Sequence, residues 1–354
     1  MSAETEPQHF RWSIGSSIAE ELDFAMYAVR GRFLGGEFPV EYGSLLRTVP
    51  PIWRAELDAL LGEPGGTHGV LEPAAFLAGT LLDDDYSRAT LAVRELSAEA
   101  ALERLRETAQ QMGVEPDLSL PFEPRLADLF GRMEDRTFRE AGFAAVEDES
   151  QIRRRREELL TVARLLAGGD LHARFWHWLD RFYYELYRPW RASQAGHLED
   201  LERRARVALG SSEGGGQPDL SWLPPQNPLK MRPALFDYAR SHGARLHFWV
   251  EPFGVADSFA LLPGLVLVSF ATPGAIYENF QAFAADVASR AAALADPTRL
   301  IILRLIRQYG MINTEIASFL GLARPTVSIH ARILREAGLI RSAQEGRLVR
   351  HEMV

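Results

Sequence analysis

Apolar positions recur every three to four residues from about residue 16 to residue 209, a spacing that predicts a succession of amphipathic helices. Gly35-Gly36, Pro50-Pro51, Pro64-Gly65-Gly66, Pro116, Pro121 and Gly168-Gly169 punctuate it and mark helix boundaries. Ahead of this run, Phe10, Trp12 and Ile14 alternate with polar residues, as in a short strand. Residues 210–228 are rich in Gly, Ser and Pro and read as a loop or linker. A short helix at about 233–242 follows, then two β-type runs, Arg245–Val250 and Leu265–Phe270, with Pro263-Gly264 as a turn before the second. The pattern predicts a mainly α chain with a small β-sheet. It divides into a helical region (1–209), a loop-rich segment with a short helix and sheet (210–277), and a C-terminal unit (278–354).

The C-terminal unit has the strongest local signals. Asp296-Pro297 opens a helix: the aspartate caps free amides, and proline at the first helical position forfeits no hydrogen bond. Leu300, Leu303 and Ile306 are read as its inner face. A second helix starts near Asn313, turns Ile316, Ala317 and Leu320 inward, and stops at Gly321. Pro325 begins a third, on which Val327, His330, Leu334 and Ala337 share a face, and Gly338 stops it. Two helices joined by a short glycine-containing turn predict a helix-turn-helix. The runs 339–342 and 347–350 around Glu345-Gly346 predict a hairpin, the wing.

Ala293-Leu-Ala-Asp-Pro-Thr-Arg-Leu, Thr314-Glu-Ile-Ala, Pro325-Thr-Val-Ser-Ile-His, Leu334-Arg-Glu-Ala-Gly-Leu-Ile and Glu345-Gly-Arg resemble, in order and spacing, the ArsR/SmtB-type repressors over about 70 residues. The resemblance implies a homodimer on an imperfect palindrome of double-stranded operator DNA, a repressor until an effector releases it. It places Arg324, Pro325, Thr326, Ser328, Ile329 and Arg332 on the DNA side of the recognition helix, with Arg341, Arg347 and Arg350 in the wing. This chain departs from the pattern in three places. Ala323 stands where a capping serine is usual, Ile329 where a polar residue is usual, and Ala331 where leucine is usual. His330 is read as a helix-packing residue, and Arg299 and Arg304 as partners of acidic neighbours.

Charge agrees with this division. The net charge is −9, yet residues 286–354 carry about +4 and residues 1–285 about −13. The chain has no cysteine, which removes disulfides, thiolate metal sites and cysteine nucleophiles. The C-terminal helix that carries carboxylate and histidine ligands in metal-sensing relatives is also missing after Arg350, so no metal and no cofactor is expected. Dimerisation then falls to the helix at 279–294 or to the N-terminal region. His172 and His177 lie about 140° apart around a helix, a poor ligand pair. With no signal peptide and no membrane-length apolar run, a cytoplasmic location is expected.

The N-terminal region has no phosphate loop, nucleophile elbow or dinucleotide fingerprint, so no enzyme activity is expected. Its most unusual segment, residues 172–190, carries eight large aromatic rings in nineteen residues, more than one helix face holds. Trp176, Trp178, Tyr183 and Tyr187 are candidates for a pocket taking a small apolar or aromatic effector. The same rings suit a helix buried on several sides. The basic run 153–156, flanked by acids on both sides, reads as a solvated helix with local ion pairs. The function read from the whole is a DNA-binding regulator, a homodimeric repressor answering a non-metal organic effector. Two alternatives remain open: an enzyme or substrate-binding domain fused to a DNA-binding tail, and a ligand-independent architectural protein.

Overall fold

The computed structural model describes residues 11–30, 45–46, 48–62, 69–144, 149–210, 218–221, 223, 225, 227–252, 258–270, 273–345 and 348–353. The fold is mainly α, and the chain divides into two compact units, Met1–Glu278 and Asn279–Val354. Unit 1 runs β1 (Trp12–Gly15), α1 (Ile18–Val29), α2 (Pro51–Leu61), α3 (Leu71–Ala78), α4 (Tyr86–Glu95), α5 (Ala98–Gln111), α6 (Phe122–Glu140), α7 (Glu149–Leu166) and α8 (Gly169–Phe182). A π-helical turn (Tyr183–Tyr187) leads into α9 (Arg188–Ser193), α10 (Ala195–Leu209), α11 (Pro228–Met231) and α12 (Ala234–Ser241). Strands β2 (Arg245–Val250), β3 (Phe259–Leu262) and β4 (Leu265–Phe270) follow.

The sheet has the order β1-β2-β4-β3. β1 and β4 both lie parallel to β2, with Trp12 opposite Leu246 and Arg245 opposite Leu265, while β3 is antiparallel to β4. Segment 210–277 is therefore not a unit of its own: its strands take β1 as a neighbour, and its apolar side chains share a core with Leu198, Leu201, Ala205 and Leu209 of α10. Sequence periodicity missed β3. It is only four residues long, and Gly264 (φ +74°) makes the tight turn that folds it back on β4. β4 is buried along its whole length, as expected of a strand covered on both faces. Leu246, Phe248 and Val250 enter the core beside α10, whereas Trp249 faces the other way, its ring centroid 5.2 Å from that of Phe24 on α1.

Several polar groups in this interior are tied down individually. Asp23 of α1 caps a different helix, its carboxylate accepting from the amides of Val70, Leu71 and Glu72 at 3.1, 3.1 and 2.6 Å. Gly69 is required there, because a Cβ on it would sit 1.8 Å from the Asp23 carboxyl carbon. Glu21, fully buried, accepts from Tyr187 Oη at 2.8 Å and from Arg191 Nε at 2.6 Å. The basic run 153–156 is not uniformly solvated. Arg155 turns inward to Glu134 (Nε to Oε2, 3.0 Å) and lies 3.2 Å from Glu158, because α7 packs along α6 and that face must be covered. Asp85 caps α4 by accepting from the Arg88 amide at 2.9 Å.

His247 joins β2 to β1. Ser13 Oγ lies 2.8 Å from its Nδ1 and the Gly15 carbonyl 3.3 Å from its Nε2, contacts that suit a neutral ring donating from Nε2. Burial lowers its pKa from the ordinary 6.5 to about 4. The unfolded chain thus takes up a proton that the folded chain refuses, and stability falls as pH drops from about 6.5 to about 4. Burial of Asp23 raises its pKa to about 7, an effect of opposite sign, so the histidine must be read by difference. Denaturant unfolding at about pH 7 and about pH 5 should show His247→Gln losing less stability on acidification than the parent chain. The full linkage is worth up to about 3 kcal/mol. Equal acid sensitivity in the two proteins would contradict this role.

Candidate nucleic-acid interface

Unit 2 begins within α13 (Pro273–Leu294) and continues through α14 (Pro297–Tyr309), α15 (Asn313–Leu320), α16 (Arg324–Glu336), β5 (Ile340–Glu345) and β6 (Leu348–Met353). Asp296 caps α14 by accepting from the Arg299 amide at 3.1 Å, and that bond also holds its carboxyl below the usual range. Gly310 ends α14 in the left-handed region (φ +61°). Glu315 reaches back to the Ile312 amide at 2.9 Å and closes the start of α15. Gly321 (φ +66°) then turns the chain, with the Leu322 amide bonded to the Ala317 carbonyl at 3.0 Å. Three residues separate α15 from α16, and β5 pairs antiparallel with β6. This is a winged helix-turn-helix.

The core of the unit sorts α16 into two faces. Val327, Ala331 and Leu334 are buried with Ile302, Leu303, Leu305 and Ile306 of α14 and Ile316 and Ala317 of α15. Ala331, small for this position, is buried with them. The expected inner face of α14 needs one correction: Leu303 and Ile306 are core, but Leu300 is 49% exposed. A spacing of three falls about 60° short of a full turn each time, so from Leu300 to Ile306 the face drifts by about 120°. The buried stripe runs through 302, 303, 305 and 306 instead.

Arg324, Pro325, Thr326, Ser328, Ile329 and Arg332 are all exposed, and the structure brings these six together on the outer side of α16. The first turn carries no side-chain cap from Ala323, and Pro325 removes one amide that would need a partner. Arg332 lies 3.8 Å from Glu336, a solvent-exposed pair of little energetic weight. His330 is half-buried, and its enclosed Nδ1 has no hydrogen-bond partner among the described residues.

The wing residues separate from this group. Arg341 is exposed and pairs across the hairpin with Glu352 at 2.8 Å. Arg350 is half-buried and donates from Nη1 to the Gly310 carbonyl at 3.2 Å, which fastens β6 to the end of α14. Arg347 lies outside the described residues. Arg299 lies 3.7 Å from Asp296, whereas among the described residues Arg304 has Gln308 as its partner, at 3.4 Å, and no acid. Sequence reading assigned no site to the cavity of about 500 Å³ lined by Leu303, Arg304, Arg307, Gln308 and Met353. Its lining joins residues of α14 to one from the last strand, a proximity that no local spacing encodes.

The four candidate effector-pocket rings have protein partners in unit 1. Trp178 is buried, donates from Nε1 to the Trp53 carbonyl at 2.9 Å and stacks on Phe182 at 5.1 Å. Tyr187 is buried on Glu21. Trp176 lies under the Arg94 guanidinium at 4.5 Å, and half-buried Tyr183 stacks on Tyr86 at 3.7 Å. His172 Nδ1 lies 2.9 Å from the Leu165 carbonyl. Among the described residues, no group of three histidine or acidic side chains could hold a metal ion.

Residues 296–342 match the family of bacterial regulatory proteins, arsR family. The chain is 42% identical over 55 residues to an uncharacterized HTH-type transcriptional regulator of Methanocaldococcus jannaschii, a match covering 15% of this chain and 62% of that protein. It is 39% identical over 66 residues to the HTH-type transcriptional regulator NmtR of Mycobacterium tuberculosis, covering 19% and 55%. It is also 33% identical over 61 residues to a probable mercury resistance operon repressor of Streptomyces lividans, covering 17% and 49%. The chain thus spans about half to three fifths of the length of these relatives.

If Arg350 holds the wing and does not itself meet DNA, Arg350→Ala should speed amide exchange throughout 340–345 and 348–353 and cost about 1 kcal/mol of stability. Hydrogen-exchange mass spectrometry of the full chain checks this. Unchanged exchange together with weakened DNA binding would instead make Arg350 a direct contact.

Proposed function

We propose, from the arsR-family domain at residues 296–342, that this chain regulates transcription by binding double-stranded DNA. The observation that carries the reading is the outer face of α16, where two arginines, two hydroxyls and an isoleucine stand exposed together above a closed core. A helix of this width fits the major groove, and the basic groups suit phosphate and base edges. The protein acts as a homodimer on an imperfect palindrome, in the cytoplasm. Residues 284–292 of α13 support the dimer: they are exposed and include Ala284, Ala285, Val287, Ala288, Ala291 and Ala292, small apolar side chains that allow close approach of a second helix. Repression is the direction favoured by a relative whose name is that of an operon repressor. Unit 1 is the regulatory body, without enzyme activity, and its signal is an organic molecule and not a metal. The absence of cysteine supports this choice, since soft metals favour thiolate ligands.

Two experiments test the reading. In titrations of the full chain against a duplex obtained by in vitro selection, Arg324→Ala or Arg332→Ala should weaken binding by about 1–3 kcal/mol per half-site where the contact is to a base. A phosphate contact should instead weaken binding to all sequences alike and lower the salt slope by about one. Affinity unchanged in both variants would contradict the docking face. Separately, duplex affinity should not respond to micromolar zinc, nickel, cadmium or mercury(II), nor to chelation. A stoichiometric metal whose removal changes affinity would contradict the organic-signal reading.

A further inference from the structure

We infer that Ile329 reads thymine: its side chain packs on the C5-methyl group of a thymine in each half-site, making it a specificity-determining residue of the recognition helix. The inference rests on the DNA-binding reading above and goes further by naming the base feature that one residue selects.

The side chain of Ile329 is 50% exposed although it is wholly apolar. On a helix of about 3.6 residues per turn, Pro325, Thr326 and Arg332 are its neighbours along one face, at spacings of four, three and three. All three are exposed, and Ser328 beside it is exposed as well. Ile329 therefore stands in the middle of the outer face. Polar groups that can bond phosphates and base edges surround it, while Val327 and Ala331, two residues away on either side, turn into the core. Nothing in the fold of unit 2 requires an isoleucine where water covers half of it.

A major groove presents hydrogen-bond donors and acceptors at every base pair, and one apolar group, the thymine methyl. Isoleucine offers no donor or acceptor, so against any other base edge it would strip water from polar atoms and return no bond. Against the methyl it buries apolar surface on both sides. Its β-branch leaves essentially one χ1 rotamer in a helix, so the apolar surface is presented in a fixed direction and little side-chain entropy is lost on contact. These properties select A·T at the contacted position. Arg332, one turn further on, is free to choose a different base.

The test uses the full chain and the in vitro-selected duplex, with thymines replaced one at a time by deoxyuridine, which removes the methyl and leaves pairing intact. At one thymine in each half-site the replacement should weaken binding about fourfold, the value of one buried methyl, and about fifteenfold when both half-sites are changed. Ile329→Ala should bind the parent and deoxyuridine duplexes equally at that position while keeping its dependence on other positions. Circular dichroism and thermal unfolding establish that the variant remains folded. If every deoxyuridine duplex binds the parent chain within about 1.5-fold, the inference is overturned. It is equally overturned if the sensitivity persists in Ile329→Ala, since another residue would then read the methyl. Failure to bind any duplex would instead remove the DNA-binding reading, and this inference with it.

Discussion

The structure of unit 2 depends on one constraint: α16 must bury Val327, Ala331 and Leu334 against α14 and α15 at the same time. At about 3.6 residues per turn, spacings of four and three hold those side chains in one stripe. The opposite side of the helix, from Arg324 to Arg332, is then committed to solvent. Gly321 is part of the same constraint. Its left-handed backbone lets α15 stop and α16 leave in a new direction within three residues. The exposed outer face needs no further device. It is what remains once the core has taken its share of the helix, and the wing is attached to that core by the Arg350–Gly310 contact.

Unit 1 solves a different problem, that of burying charge. Glu21, Asp23 and Glu134 all lie inside, and each has found a different compensation: an arginine with a tyrosine, the first amides of another helix, and a second arginine. Removing one partner would strand the other, which costs far more than the pair contributes. Glu20 is the exception. One of its oxygens is buried without a partner among the described residues, and burial, then Glu72 and Asp23, push its pKa upward, so the proton-bound form is the one this interior favours. The aromatic segment is shaped by the same crowding. Between α8 and α9 a π-helical turn shifts the faces of the helix, so the rings of 175–190 reach several different neighbours.

What was legible in the sequence was mostly local. The Asp296-Pro297 start, the Gly321 stop, and the bounds of β2 and β4 depend on residues within a turn or a strand of each other, and a reader of sequence can weigh them directly. The outer face of α16 was placed by the resemblance to the ArsR/SmtB-type repressors, and the structure finds its six residues exposed. The remainder depends on partners far away along the chain. β1 pairs with β2 across more than two hundred residues, so segment 210–277 could not be seen to share a sheet with the N-terminus. Arg155 was read as solvated because its neighbours in sequence are charged, whereas its true partner, Glu134, lies on another helix. Arg350 fits the pattern of a wing contact equally well whether it meets DNA or the Gly310 carbonyl. A basic residue's identity does not say which oxygen it will find.

The central claim is that α16 enters the major groove with its outer face toward the bases. Methylation interference on the selected duplex measures this directly, because methylated guanine N7 blocks the major groove and methylated adenine N3 the minor. The account predicts that N7-methylguanine interferes in two clusters, in successive major grooves about 34 Å apart on one side of the duplex. Interference confined to adenine N3, or spread without such clusters, would contradict it.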